Sequence, residues 1–189
     1  MERQEMIDRV SKEMPERRWR HTEGVMATAI KLAERYGEDP ERAELAAILH
    51  DVAKYWGIEK QKSIIVDNGL RGDVLLYDKE LWHAPVGAWV AEHEYGVEDK
   101  GVLDAICYHT SGRSGMTKLE KIVWLADYIE PGRDFPGVDA IRTLAESSLE
   151  EALLAALNAT ISFLAAKEKK IYPLTIEARD SMQSANKGG

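Results

Sequence analysis

Hydrophobic positions recur every three or four residues along almost the whole chain, and alternation over strand-length windows is absent. The period predicts an all-α fold. Helices are expected over 2–14, over 15–36 with Pro15 in the first turn and Gly37 as the stop, and over 40–54 behind Pro40. Others are expected over 58–68 before Gly69, over 85–96, 99–110, 117–130, 138–147 and 148–170, with a short one from Thr175. Thr117 and Glu120 carry the signature of a capping box. The stretch after Gly69, with Arg71, Gly72, Asp73 and Asp78, reads as a loop, as do 111–115 and 131–137. In the helix from Ser148, the stripe Leu149, Leu153, Ala156, Leu157, Thr160 and Leu164 marks scaffold, and Lys167, Lys169 and Lys170 near its end complement the helix dipole.

One stretch breaks the usual division into an apolar and a wet face. Over 43–54, Leu45, Ile48, Leu49 and Val52 form one stripe, while Ala43, Ala46, Ala47, His50 and Asp51 form a second, small one. A helix apolar on two sides is a buried helix. Burying a carboxylate beside an imidazole costs several kcal/mol unless something compensates. An alanine-lined face leaves space, and a cation is the expected occupant.

Composition narrows the setting. A chain of 189 residues with 44% hydrophobic content fits one domain, expected over 1–183, with 184–189 as a frayed tail. The net charge of -8 argues against nucleic-acid and anionic-membrane binding, so a polyanionic substrate would need strong local positive charge. The single cysteine, Cys107, excludes an internal disulfide, fits a reducing cytoplasmic setting, and is expected to pack as a small apolar residue. The N-terminus is charged and amphipathic, unlike a signal peptide. The run 152–166, interrupted by Asn158, Thr160 and Ser162, reads as too short and too polar to span a bilayer.

Four more polar residues stand where the period predicts core. His21 heads the stripe Val25, Thr28, Ala29, Leu32 and Tyr36, and His109 closes Val102, Ala105 and Ile106. Asp127 shares a face with Leu119, Ile122, Val123 and Ala126, and His83 stands at a helix entrance just before Pro85. Each alone reads as a hydrogen-bonded core residue or a paired carboxylate. Together with the His-Asp pair they point to a metal site, and imidazole with carboxylate suits Fe, Mn or Zn. His93 has similar spacing but lies ten residues from His83, roughly 15 Å along one helix, and is left out. Trp19, Trp56, Trp82, Trp89 and Trp124 are core candidates, and Tyr55 or Trp56 could stack on a base.

His21, the adjacent His50 and Asp51, and the distant Asp127 resemble the H…HD…D pattern of the HD superfamily of metal-dependent phosphohydrolases. More closely, the chain resembles its YqeK-type symmetrical bis(5′-nucleosyl)-tetraphosphatases. The likeness lies in the stretches 82–88, 108–113, 115–116, 119–123, 125–133 and 135–138, within a span of about 18–179. Ser111 departs from the family's more frequent threonine.

The resemblance implies one HD-type helical domain holding two irons, with Mn and Zn as alternatives. His21, His50, Asp51 and Asp127 would hold one ion, and His83 and His109 the second, with Asp51 between them. Two ions roughly 3.5–4 Å apart can share a hydroxide and clamp a phosphoryl group. The implied reaction is symmetrical cleavage of diadenosine tetraphosphate to two ADP by an iron-bound hydroxide, with Asp51 and Lys54 as the catalytic pair. Lys54, Thr110, Gly112, Arg113 and Arg133 would hold the phosphates; Arg17, Arg18 and Arg20 near His21 are weaker candidates, since a charge cluster is usually a solvated face. Rival readings are another HD phosphohydrolase (a nucleotidase or a dNTP triphosphohydrolase), a di-iron oxygenase, and a nucleotide-binding module with an inactive site. An apolar helix face could also serve a homodimer.

Overall fold

The computed structural model describes residues 2–186, in which there are ten α-helices, three 3₁₀ turns and no strand. Arg3–Val10 (α1) and a 3₁₀ turn at Ser11–Glu13 lead into Glu16–Tyr36 (α2) and Pro40–Leu49 (α3). After Ile58–Asp67 (α4), two 3₁₀ turns, Gly72–Leu76 and Lys79–Leu81, fill the stretch read as loop. His83–Tyr95 (α5), Lys100–Tyr108 (α6), Lys118–Ile129 (α7), Val138–Leu144 (α8), Leu149–Ala166 (α9) and Pro173–Asn186 (α10) complete the order.

The boundaries follow local chemistry. Gly37 ends α2 in the left-handed region at φ 69°, and Asp39 caps α3 by accepting from the backbone N–H groups of Glu41 and Arg42. Thr117 and Glu120 form the expected capping box.

α3 packs against α1, α2, α5, α6 and α7, and Ala43, Ala46 and Ala47 are fully buried. Their small side chains let those helices approach closely. The polar pair lies beyond these alanines. α3 stops at Leu49, short of the expected 54, because the His50 ring takes the Ala47 carbonyl at 2.6 Å. From there the chain proceeds in tight turns, with Val52 N–H donating to Leu49 O at 3.1 Å and Lys54 N–H to Asp51 O at 2.9 Å.

α9 buries Leu149, Ala152, Leu153, Ala156 and Leu157 against α7, α8 and α10. Its 18 residues, with mean hydropathy 1.4, are by length and composition enough to cross a membrane. The run 152–166 lies inside this helix, and its buried face is that of a core helix, which the same length and composition also fit. The lysines after it do not complement its dipole from within. The helix ends at Ala166, Glu168 takes a left-handed φ of 54°, and Lys169 reaches Asp78 Oδ2 at 2.9 Å while Lys170 Nζ donates to Leu76 O at 3.4 Å.

α10 runs to Asn186, through the start of the stretch read as tail, and 187–189 lie outside the described residues. Of the five tryptophans only Trp124 is buried; the other four are half-buried against the core. His93 is exposed and stacks on Trp89, so its core spacing misleads, while Cys107 is half-buried.

Candidate metal centre

Four imidazoles and two carboxylates converge from five segments: His21 of α2, the His50–Asp51 turn, His83 at the start of α5, His109 after α6, and Asp127 of α7. Helix ends do much of the positioning. His50 and His109 are the C-caps of α3 and α6, and each directs Nδ1 at the carbonyl three residues back, Ala47 O at 2.6 Å and Ile106 O at 2.7 Å. The last carbonyls of a helix lack intrahelical donors, so a ring N–H satisfies them. His21 Nδ1 lies 3.0 Å from Glu130 Oε1. All three partners accept, so each Nδ1 is placed to donate and each Nε2 is turned to the centre.

Asp51 divides its carboxylate between two groups. Oδ1 lies 3.0 Å from His83 Nε2 and 3.7 Å from His109 Nε2. Oδ2 lies 3.1 Å from His50 Nε2, 3.8 Å from His21 Nε2 and 2.9 Å from Arg18 Nε. Asp127 Oδ1 is 3.0 Å from His21 Nε2, and the Nε2 atoms of His83 and His109 are 3.1 Å apart. His50, Asp51, His83 and His109 are buried, while His21 and Asp127 are partly exposed.

This donor set fits divalent cations. His21 Nε2, His50 Nε2 and Asp51 Oδ2 are buried in close ionic contacts that make no well-aligned hydrogen bond, and a buried polar atom left unmet costs about 1–3 kcal/mol. Donor atoms of His21, His50 and Asp127, and likewise of His50, Asp51 and His109, lie within 4.8 Å of one another. A cation meeting those lone pairs removes the penalty.

Electrostatics keep the carboxylates charged. Burial pushes Asp51 up, but contact with His50, His109 and His83 outweighs it and holds the carboxyl well below its ordinary range. Asp127 is likewise lowered: burial opposes, while the His21 contact and the charges of His50 and Arg133 prevail. Burial pushes His83 down to about 4, with the positive charges of His109 and Lys54 adding and Asp51 opposing. His50 moves the other way, since Asp51 outweighs the burial that would lower it.

A family model described as the HD domain matches residues 18–132, a span that encloses every donor from His21 to Asp127. The chain belongs to the HD-domain family. It is 50% identical over 175 residues to the symmetrical bis(5′-nucleosyl)-tetraphosphatase of Bacillus subtilis (strain 168), covering 93% of this chain and 94% of that one. It is 46% identical to the protein of the same name from Staphylococcus aureus (strain NCTC 8325 / PS 47), covering 92% of this chain and 91% of that one. A crystal structure from Clostridium acetobutylicum, described as a predicted HD superfamily hydrolase involved in NAD metabolism, superposes with TM-score 0.93 at 39% identity and 98% coverage of both chains.

The other residues singled out in the HD-domain sequence fall in several places. Lys54 Nζ donates to Glu80 Oε2 at 2.7 Å, and its charge reaches His83. Arg133 returns to Asp127, its guanidinium 2.6 Å from Oδ1 and 2.8 Å from the backbone O. Arg113 is held by Glu120 at 2.6 Å and Asp104 at 3.1 Å and lies over the Tyr108 ring. Gly112, at φ 67°, serves packing: a Cβ there would meet Ala178 of α10 at 3.0 Å. Thr110 is half-buried in the turn after His109.

Sequence reasoning ranked one residue too low and missed another. Arg18, read as part of a wet cluster, touches Asp51; its spacing of three from His21 puts both on one helix face and was the available signal. Glu130 beside His21 gave no signal, because a glutamate at a helix end reads as exposed. A cleft of about 590 Å³ opens beside His21, lined by Arg17, Arg18, Arg20, Tyr55, Gly132 and Arg133 among others.

Proposed function

We propose that this chain hydrolyses diadenosine tetraphosphate at the middle of its phosphate chain, giving two ADP, with two divalent cations held by His21, His50, Asp51, His83, His109 and Asp127. The observation that carries the reading is the division of Asp51: one oxygen faces His83 and His109, the other His50 and His21. A carboxylate shared between two imidazole groups is the arrangement expected of a bridge between two ions. Relatives at 46 to 50% identity over more than nine-tenths of this chain bear the name of that activity. Iron is proposed for both positions on the family resemblance, and the same donors accept Mn or Zn.

When bound, such ions supply Lewis acidity and lower the pKa of coordinated water. The chain's own residues do the rest. Asp51 and Asp127 are ionised at neutral pH, so the centre offers its cations full negative charge. Arg18, Arg133 and Lys54 bring positive charge to the same place, in a chain of net charge -8, where a polyphosphate would otherwise be repelled. Arg133 can grip a phosphate oxygen as a planar fork and Lys54 as a point charge. Thr110, Gly112 and Arg113 follow His109 directly and are proposed to border the other half of the substrate. Tyr55, 55% exposed on the cleft wall, offers a ring face to a base.

A second reading, a hydrolase acting in NAD metabolism, follows from the description of the Clostridium protein. Chromatography of the products from diadenosine tetraphosphate separates the possibilities. ADP as the sole nucleotide product is expected, whereas AMP with ATP contradicts central cleavage.

A further inference from the structure

We infer that Glu130 is a positioning residue for His21, setting which imidazole nitrogen faces the centre and tying that ring to the loop that carries Arg133. The inference rests on the metal-dependent reading above. Glu130 caps the C-terminus of α7 and is 3% exposed. Its two oxygens have different partners: Oε1 lies 3.0 Å from His21 Nδ1, and Oε2 accepts from the backbone N–H of Gly132 at 2.5 Å. An ionised carboxylate only accepts, so with a cation at Nε2 the His21 proton belongs on Nδ1. Nε2, 3.0 Å from Asp127 Oδ1, is left to meet a cation. A carboxylate behind a ligating imidazole fixes its tautomer and orientation and raises its basicity.

Two glycines make room for this carboxylate. A Cβ at Gly24 of α2 would lie 2.5 Å from Glu130 Oε2, and one at Gly132 would lie 3.0 Å from both oxygens. Gly24 is inside a helix, where alanine is the better former, so space for Glu130 accounts for the glycine. The backbone around Glu130 is held as well. Arg133 N–H donates to Glu130 O at 2.9 Å, and Arg142 of α8 donates to the carbonyls of Glu130 and Arg133 at 2.8 Å each. The turn that returns Arg133 to Asp127 is thus built on the residue that orients His21.

Glutamine at this position has one acceptor for two N–H groups. Either Gly132 N–H meets an amide NH₂, or His21 does and turns to the tautomer protonated at Nε2. The test titrates Mn²⁺ calorimetrically into metal-free wild-type protein, Glu130→Gln, Gly24→Ala and, as a stability control, Leu153→Ala. Glu130→Gln and Gly24→Ala should weaken Mn²⁺ binding about 10- to 100-fold, with Leu153→Ala unchanged. Nitrogen NMR of the ring should show His21 protonated at Nδ1 in the wild type and displaced toward Nε2 in Glu130→Gln. Gly24→Ala displaces the carboxylate while favouring the helix, so it decides the matter if Glu130→Gln does not fold. Wild-type affinity in either folded variant overturns the positioning role, as does an equal loss in Leu153→Ala. Wild-type protein that takes up no Mn²⁺ overturns the metal reading itself, and the positioning role with it.

Discussion

Arg18 Nε lies 2.9 Å from Asp51 Oδ2, the oxygen that also faces His50. A guanidinium among so many donor atoms neutralises a buried carboxylate and stands where a phosphate oxygen approaching the centre would pass. Cations at the centre would take over the first task. Arg18→Ala should therefore destabilise the chelator-treated protein by about 1–3 kcal/mol and the Mn²⁺-saturated protein by less, with KM raised severalfold. Calorimetric melting in both conditions checks this; equal losses would show that Arg18 has no charge relationship with the centre.

Arg113 is committed to Glu120, which is 1% exposed, and to Asp104. Removing one partner of a buried pair leaves an uncompensated charge, at about 3–5 kcal/mol. Since Arg113 is 28% exposed, Arg113→Ala should fall near the lower end. Urea denaturation beside steady-state kinetics distinguishes the roles. A large stability loss with an unchanged KM marks a structural tie, whereas a raised KM at full stability marks a phosphate grip.

Leu153 is fully buried in α9, the helix that backs α7. Leu153→Ala should cost about 2–5 kcal/mol through the cavity it leaves without changing turnover per folded molecule. Loss of turnover in fully folded protein would mean that α9 does more than support α7.

Asp99 caps α6 and pairs with Arg42 at 2.7 Å; those contacts hold its carboxyl down to about 2, with burial opposing. Its folded pKa is thus below the ordinary 3.8, so its contribution to stability is present above about pH 4 and is lost as pH falls toward 2. With 40% of the side chain exposed, screening limits that contribution to about 1 kcal/mol. The stability curves of wild type and Asp99→Asn should be separated at pH 6 and converge near pH 2. A gap that is constant with pH would assign the effect to geometry instead.

Helical period, caps and glycine stops made the all-α fold legible, because those signals are local. So did the donors: His21, His50, Asp51, His83, His109 and Asp127 are polar residues at apolar phases, and all six meet. What periodicity could not convey is competition at helix ends. The His50 ring takes a carbonyl and stops α3 early, and Glu168 ends α9 in a conformation that no glycine announces. Nor does a one-dimensional pattern say which arginine faces in. Arg18 turns inward to Asp51 while Arg20, two residues on, is exposed and pairs with Glu16. Glu130 is buried because His21 and Gly132 lie over it, which is a relation between distant segments.

The central claim is that Asp51 joins two cation positions in one chain. Metal content per chain, measured by elemental analysis of wild-type protein and Asp51→Ala after loading with the same transition metal, tests it most directly. Two equivalents in the wild type, and fewer than one in a still-helical Asp51→Ala, are predicted. Two equivalents retained in Asp51→Ala, or none in the wild type, would contradict it.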